Sequence, residues 1–285
     1  MLRPEVLEYY RRGGERGRLS SGAGRLEFLR TWDVLTRMLP PAPAEVLDVG
    51  GATGVYAAPL AQAGYRVTVV DPVPEHVAVS AGLPGVQAVV GDARDLPAGD
   101  ASADVVLLLG PLYHLQERPD RLAAWREAAR VVRPGGVVVA ATISRFASLF
   151  DGFVKGFFRD PGFGPLVERT LAEGRHGNPR EVPRWFTSAY FHRPEELPVE
   201  VAEAGLVLRR LVSVEGPLWM SPAALADFLD DPALLLDRLR EVEDEPSLLG
   251  ASSHLLTVAA RESAGGAVRN CRAWLTTRAG WRLAR

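Results

Sequence analysis

A chain of 285 residues is long enough to bury a sizeable core in one large domain, and its formal net charge of −2 lacks the basic excess typical of nucleic-acid-binding proteins. Its one cysteine, Cys271, excludes an internal disulfide and a thiolate metal cluster. No run of about 18 apolar residues occurs, and Arg3 and Glu5 open the chain with no apolar stretch behind them, so the expected compartment is the cytoplasm, with no membrane contact.

Residues 1–24, rich in Arg, Gly and Tyr, read as an N-terminal arm. Residues 25–39 follow as an amphipathic helix whose stripe, Phe28, Trp32, Leu35 and Leu39, is expected to face the core. Val46 to Val49 is a short apolar strand that runs into Gly50-Gly-Ala-Thr-Gly54, a turn able to bring bare backbone against a ligand. A helix over 55–63 stops at Gly64, and a second strand, Tyr65 to Val70, ends in Asp71, 23 residues beyond Asp48 (71 − 48). Strand, glycine turn, helix, strand and terminal acid make the nucleotide-binding half of a doubly wound α/β fold, with the acid placed for two ribose hydroxyls. Counted from Gly50, the dinucleotide pattern Gly-x-Gly-x-x-Gly fails at Ala52 and Val55, and no P-loop motif occurs. A carboxylate at the strand end, Asp48, repels phosphate but suits an ammonium group. These features point to S-adenosyl-L-methionine as the ligand.

Four segments, Asp48-Val-Gly-Gly-Ala-Thr-Gly54, Asp71, Gly91-Asp-Ala93 and Arg133-Pro-Gly-Gly136, resemble in order and spacing the motifs of class I S-adenosylmethionine-dependent methyltransferases. The resemblance covers roughly residues 24–143, and Ala52 stands where glycine is commonest. It implies a Rossmann-like, doubly wound, seven-stranded sheet with a core over 25–143. It further implies a cofactor site of Asp48, Gly50, Gly51, Ala52, Gly54, Asp71, Pro72, Asp92, Ala93 and Leu109, with Asp92 accepting from the adenine amino group. The arm is either loosely packed or a cap, with Tyr10 on the cofactor and Arg18 or Arg25 pairing with its carboxylate.

Beyond a third strand at 86–90 and a fourth at 105–109, the loop Gly110-Pro-Leu-Tyr-His-Leu115 faces cofactor and acceptor together. There His114 is a candidate base or orienting group and Tyr113 a frame for the methyl group; the alternative for His114 is a helix cap or a backbone hydrogen bond. Asp120 is expected to cap a helix over 120–132, before a fifth strand at 137–143. Roughly 50 residues then separate that strand from the next core-like piece, far beyond an ordinary connection. This insert, 144–193, is aromatic-rich; it reads as a lid whose Phe146, Phe150, Trp185, Tyr190 and His192 contact an apolar acceptor, or as a subsidiary core. Core elements return at 194–214. A second insert, 215–250, has helices begun by Pro222 and Pro232, for a lid or a dimer contact. A last strand spans 251–261, antiparallel by family resemblance, and a basic tail fills 262–285. Carboxylate and histidine spacing offers no metal site. The expected activity is methyl transfer to a small, partly apolar metabolite by a monomer or homodimer. The alternatives are a tRNA- or RNA-modifying methyltransferase and a sensor that binds the cofactor without transfer.

Overall fold

The computed structural model describes residues 3–11 and 17–263. The tail from 264 onward, with Cys271, lies outside the described residues. Helices α1 (Pro4–Arg11) and α2 (Gly22–Met38), with a short 3-10 turn at Arg18–Ser20, precede β1 (Glu45–Val49). Then come α3 (Ala57–Gln62), β2 (Arg66–Asp71), α4 (Pro74–Ala81), β3 (Val86–Val90), β4 (Ala103–Leu108), α5 (Pro111–His114), α6 (Arg118–Val131) and β5 (Val132–Ser144). The first insert holds α7 (Ala147–Val154), α8 (Phe163–Glu173), β6 (Arg175–His176) and β7 (Ala189–His192). It leads through α9 (Glu196–Glu203) to β8 (Val207–Ser213), and α10 (Pro222–Phe228), α11 (Pro232–Arg240) and α12 (Pro246–Leu249) precede β9 (His254–Ala260).

Strands β3-β2-β1-β4-β5 lie side by side in parallel. β9 runs antiparallel between β5 and β8, completing the seven strands expected. Two further strands extend the sheet. β5 outruns β4 at its carboxyl end, and the ladder groups left open pair in parallel with β7 at Ile143↔Phe191 and Ser144↔His192. β6 then pairs with β7.

Alternate residues of the central strands enter opposite cores, as parallel strands covered on both faces require. Leu47, Val49, Val106 and Leu108 meet Trp125 of α6 on one side, while Val46, Val105 and Leu107 meet Leu35 of α2 and Leu60 of α3 on the other. Asp120 sits inside α6 and pairs with Arg94 at 3.2 Å instead of capping, because the helix starts earlier, with Pro119 in its first turn.

The two inserts pack in different ways. Phe157, Phe163, Val167 and Trp185 form a core of the first insert's own. In the second, Leu225, Leu229, Leu235 and Leu239 close onto Leu26 of α2. Beneath that contact Arg30, fully buried, bonds Asp33 at 2.7 Å, Glu243 at 2.8 Å and the Val214 carbonyl at 3.0 Å. Arg37 joins the same two acids at 2.9 and 2.7 Å, and Arg240 also reaches Asp33. Removing one partner from such a buried set leaves charge without compensation. Arg30→Met is expected to lower stability by about 3 kcal/mol in urea denaturation; a loss under about 0.5 kcal/mol would show that Arg37 and Arg240 suffice.

Candidate functional site

A cavity of about 880 Å³ runs along the carboxyl edge of the sheet. Its lining visits the strand tips in spatial order: Asp92 and Ala93 after β3, Asp71 and Pro72 at β2, Asp48 to Thr53 at β1, Leu109 and Gly110 at β4, Ala141 of β5 and His254 of β9. Six adjacent strands at ~4.8 Å spacing make a trench on the order of 24 Å long.

The glycine turn is shaped by close approach. Gly50 has φ of +70°, and a Cβ there would lie 2.9 Å from Pro111, while one on Gly51 would lie 2.6 Å from an Asp48 carboxylate oxygen. Ala52 takes a left-handed φ of +48° despite its side chain, and its N–H donates to Asp71 Oδ2 at 3.0 Å. Such a conformation costs a non-glycine residue roughly 1 kcal/mol. Asp48 is 1% exposed, and neither carboxylate oxygen has a hydrogen-bond partner. Burial, with the charge of Asp71, pushes its carboxyl up to about 7. Asp71 is better held, accepting also from Val73 N–H at 2.9 Å and facing His76 Nδ1 at 3.2 Å. The Arg94 side chain, bonded to Asp92 at 2.9 and 2.7 Å, pulls the Asp92 carboxyl down to about 2.

Above β4, His114 is buried and Tyr113 packs edge-on against it at 4.7 Å. Tyr10 of α1 lines the cavity, with its hydroxyl 2.7 Å from His114 Nε2. Burial pushes His114 down to about 4. The ring is therefore neutral at pH 7, with Nε2 hydrogen-bonded to Tyr10 and Nδ1 buried without a hydrogen-bond partner among the described residues. α1 is docked on the first insert: Ser188 Oγ donates to Glu5 at 3.0 Å, and Tyr9 packs on Phe186 at 5.6 Å.

Several expected contacts fall elsewhere. Arg25 lies on the exposed face of α2, and Arg18 lines the cavity instead. Gly54 lies in the turn but outside the lining, where a Cβ would strike Leu83 at 2.4 Å. Phe146, Phe150, Trp185, Tyr190 and His192 do not line the cavity either. Trp185 is in the insert's core, Phe150 packs on Trp219 at 6.2 Å, and Phe146 lies beneath the Arg193 guanidinium at 5.7 Å. Tyr190 stacks on Arg121 at 3.7 Å, and His192, fully buried, faces Glu200, the acid that also holds Arg121 at 2.9 Å. Tyr190 and His192 pack on each other and against that buried ion pair, and the insert reaches His114 and Tyr113 through Phe186.

The far wall carries residues that pattern alone did not mark. Phe28, expected in the core, lines the cavity and stacks on Tyr56 at 5.5 Å. Beside it lie Glu27, Arg18 and His254. His254 Nδ1 donates to Glu215 at 2.6 Å, and Glu27 is clasped by both terminal nitrogens of Arg18. Glu27, Glu215 and His254 bring polar atoms within 4.8 Å of one another, and the Nδ1 proton and Arg18 balance the charge of the two acids. Among the described residues no helix is long and apolar enough to cross a membrane.

A family model described as a methyltransferase domain matches residues 47–140. An uncharacterized methyltransferase of Mycobacterium tuberculosis is 37% identical over 163 residues, 55% of this chain and 60% of that protein, so the chain matches well under two thirds of that relative's length. The ubiquinone biosynthesis O-methyltransferase of Xanthomonas axonopodis pv. citri is 30% identical over 200 residues, 68% of this chain and 75% of that protein. The solved S-adenosylmethionine-dependent methyltransferase from Mesorhizobium loti shares the fold, with a TM-score of 0.56 at 18% identity over 81% of this chain and 98% of that one.

The state of Asp48 can be read in stability. A carboxyl whose folded pKa lies above its unfolded one favours the protonated fold, so its contribution is present at low pH and lost as pH rises from about 4 to about 7. Asp48→Asn is therefore expected to stabilise the ligand-free protein by about 4 kcal/mol at pH 8 and by about a third of that at pH 5; an equal gain at both pH values would refute the burial of an unpaired charge.

Proposed function

The chain belongs to the class I S-adenosylmethionine-dependent methyltransferases, and from that premise we propose that it transfers a methyl group to a small, partly apolar metabolite held in the strand-tip cavity. The observation that carries this reading is Asp48: a buried carboxylate with no protein partner, at the glycine turn, is an acceptor for the cofactor's ammonium group. Asp71 would take the ribose hydroxyls, and Asp92 with the Ala93 N–H the adenine edge. Leu109 and Pro72 would cover the nucleoside. When bound, S-adenosylmethionine supplies a methyl carbon activated by positive sulfur, whose leaving group is a neutral thioether.

The protein's part is alignment and water exclusion, and alignment can remove roughly 7–11 kcal/mol of barrier. Tyr10 and His114 meet at the β4 tip, where cofactor and acceptor would adjoin, and their hydrogen bond ties α1 across that junction. With His114 Nε2 taken by Tyr10, the tyrosine hydroxyl is the group that would receive a proton from an acceptor hydroxyl as it passes its own to His114, a role typically worth about 10²–10⁴-fold. The trench continues beyond that point to Phe28, Tyr56 and His254, which favours transfer over a sensor role. The enclosing walls favour a small molecule over a folded RNA.

Calorimetry with S-adenosylhomocysteine tests the cofactor half. Asp71→Asn is expected to weaken binding about tenfold or more, the loss of charge-assisted hydrogen bonds; unchanged affinity would remove the ribose assignment. The chemical half needs an acceptor, found by screening metabolite extracts for products heavier by one methyl group. With it, Tyr10→Phe and His114→Ala should each lower kcat at least about tenfold while cofactor affinity stays within about twofold. Undiminished turnover in both would leave alignment as the whole mechanism.

A further inference from the structure

At the cavity's far end His254 offers a ring nitrogen that has no hydrogen-bond partner among the described residues. His254 opens β9, beside Ile143 at the carboxyl end of β5, and its ring lines the cavity. Its Nδ1–H donates to Glu215 Oε1 at 2.6 Å. Glu215 is 2% exposed and is fixed in turn by Ser252 Oγ and the His254 N–H, each at 2.9 Å from Oε2. The ring cannot turn over without breaking this bond, so Nε2 is the nitrogen left to the cavity. Among the described residues it makes no hydrogen bond.

Charge decides what that atom does. Burial opposes ionisation of the imidazole, but the carboxylates of Glu27 and Glu215 outweigh it and push His254 up to about 9. The other charged groups around the pair are Arg18, which clasps Glu27, and Asp151 and Lys155 of the α7 end, which pair with each other at 2.9 Å. Each of these acids thus has a cation, and the Nε2–H of His254 is left as a charged donor without a partner among the described residues. Two strand spacings, about 10 Å, separate it along the sheet edge from the β4 tip that carries His114. The Phe28 and Tyr56 rings line the same cavity.

We propose that Glu215 and His254 form the acceptor-anchoring pair of this enzyme, and that the acceptor is an apolar or aromatic molecule bearing an anionic oxygen (a carboxylate, phenolate or enolate) that accepts from His254 Nε2. The proposal rests on the methyl-transfer reading above and names its substrate class. Glu215 acts through His254, as a positioning residue. An acceptor with an anionic oxygen at one end and a nucleophilic atom about 10 Å away would span His254 and His114.

Calorimetry on the protein saturated with S-adenosylhomocysteine tests it, with 4-hydroxybenzoate against 4-hydroxybenzamide and 4-nitrophenolate against 4-nitroanisole. At least one anion is expected to bind about tenfold or more tightly than its neutral partner, a preference fading above pH 9 as the imidazolium loses its proton. His254→Gln should abolish the preference and Glu215→Gln should shift its loss to lower pH, with S-adenosylhomocysteine affinity unchanged in both. These readouts report the charge on the ring, which a purely structural histidine would not supply. No anion preference in the wild-type complex, or one that survives in His254→Gln, overturns the proposal. Failure of S-adenosylhomocysteine to bind the wild type would instead strike the cofactor reading, and this one with it.

Discussion

A carboxylate buried without a partner is the constraint around which this fold is arranged. Asp48 lies one residue from the end of β1, between β2 and β4, at the point where the sheet's winding reverses. An isolated charge there is costly, and Asp71 nearby makes it more so. Much of the surrounding geometry leaves the group at the cavity's lining while giving it no cation among the described residues. Gly51 leaves no side chain over it, and Asp71 is occupied with the backbone of the turn and the Val73 N–H. The protein retains an unfavourable interaction that a cationic ligand would relieve, which is how a binding site differs from a well-packed core.

The strain at Ala52 belongs to the same economy. Its left-handed backbone aims an N–H at Asp71 and thereby couples the β1 turn to the β2 tip. The motif's usual glycine would reach that conformation more easily, but the hydrogen bond holds alanine there. Two adjacent acids, one stabilised by donors and one starved of them, thus present chemically distinct faces to the cavity.

How much of this was legible in the sequence depends on whether chemistry or packing decided each residue's place. The central strands and their glycine turn were legible because covered parallel strands read as apolar runs and because a tight turn needs glycine. Asp48, Asp71 and Asp92 followed, being placed by strand ends. The aromatic insert misled for a physical reason: a ring buries as much area against another ring as against a ligand, and composition does not distinguish them. Tyr190 and His192 serve a buried Arg121–Glu200 pair whose members are 79 residues apart, a contact no local pattern announces. The far wall was illegible for the same reason. Glu27, Glu215 and His254 come from α2, the segment after β8 and the start of β9, and only the antiparallel placement of β9 beside β5 brings them together. Phe28 was assigned to the core by its spacing, yet helix periodicity says which residues share a face and not whether that face meets protein or a cavity.

Helix α2 stands in both worlds. On one flank Leu26 and Arg30 are locked to the second insert, while Glu27 and Phe28 look into the cavity. Any exchange of leucines in α10 or α11 that tilts this helix would therefore reshape the His254 end of the cavity without disturbing the tips of β1, β2 and β3. Variation confined to a helical pair outside the cavity offers descendants of this chain a route to a remodelled far wall while the strand-tip end stays as inherited.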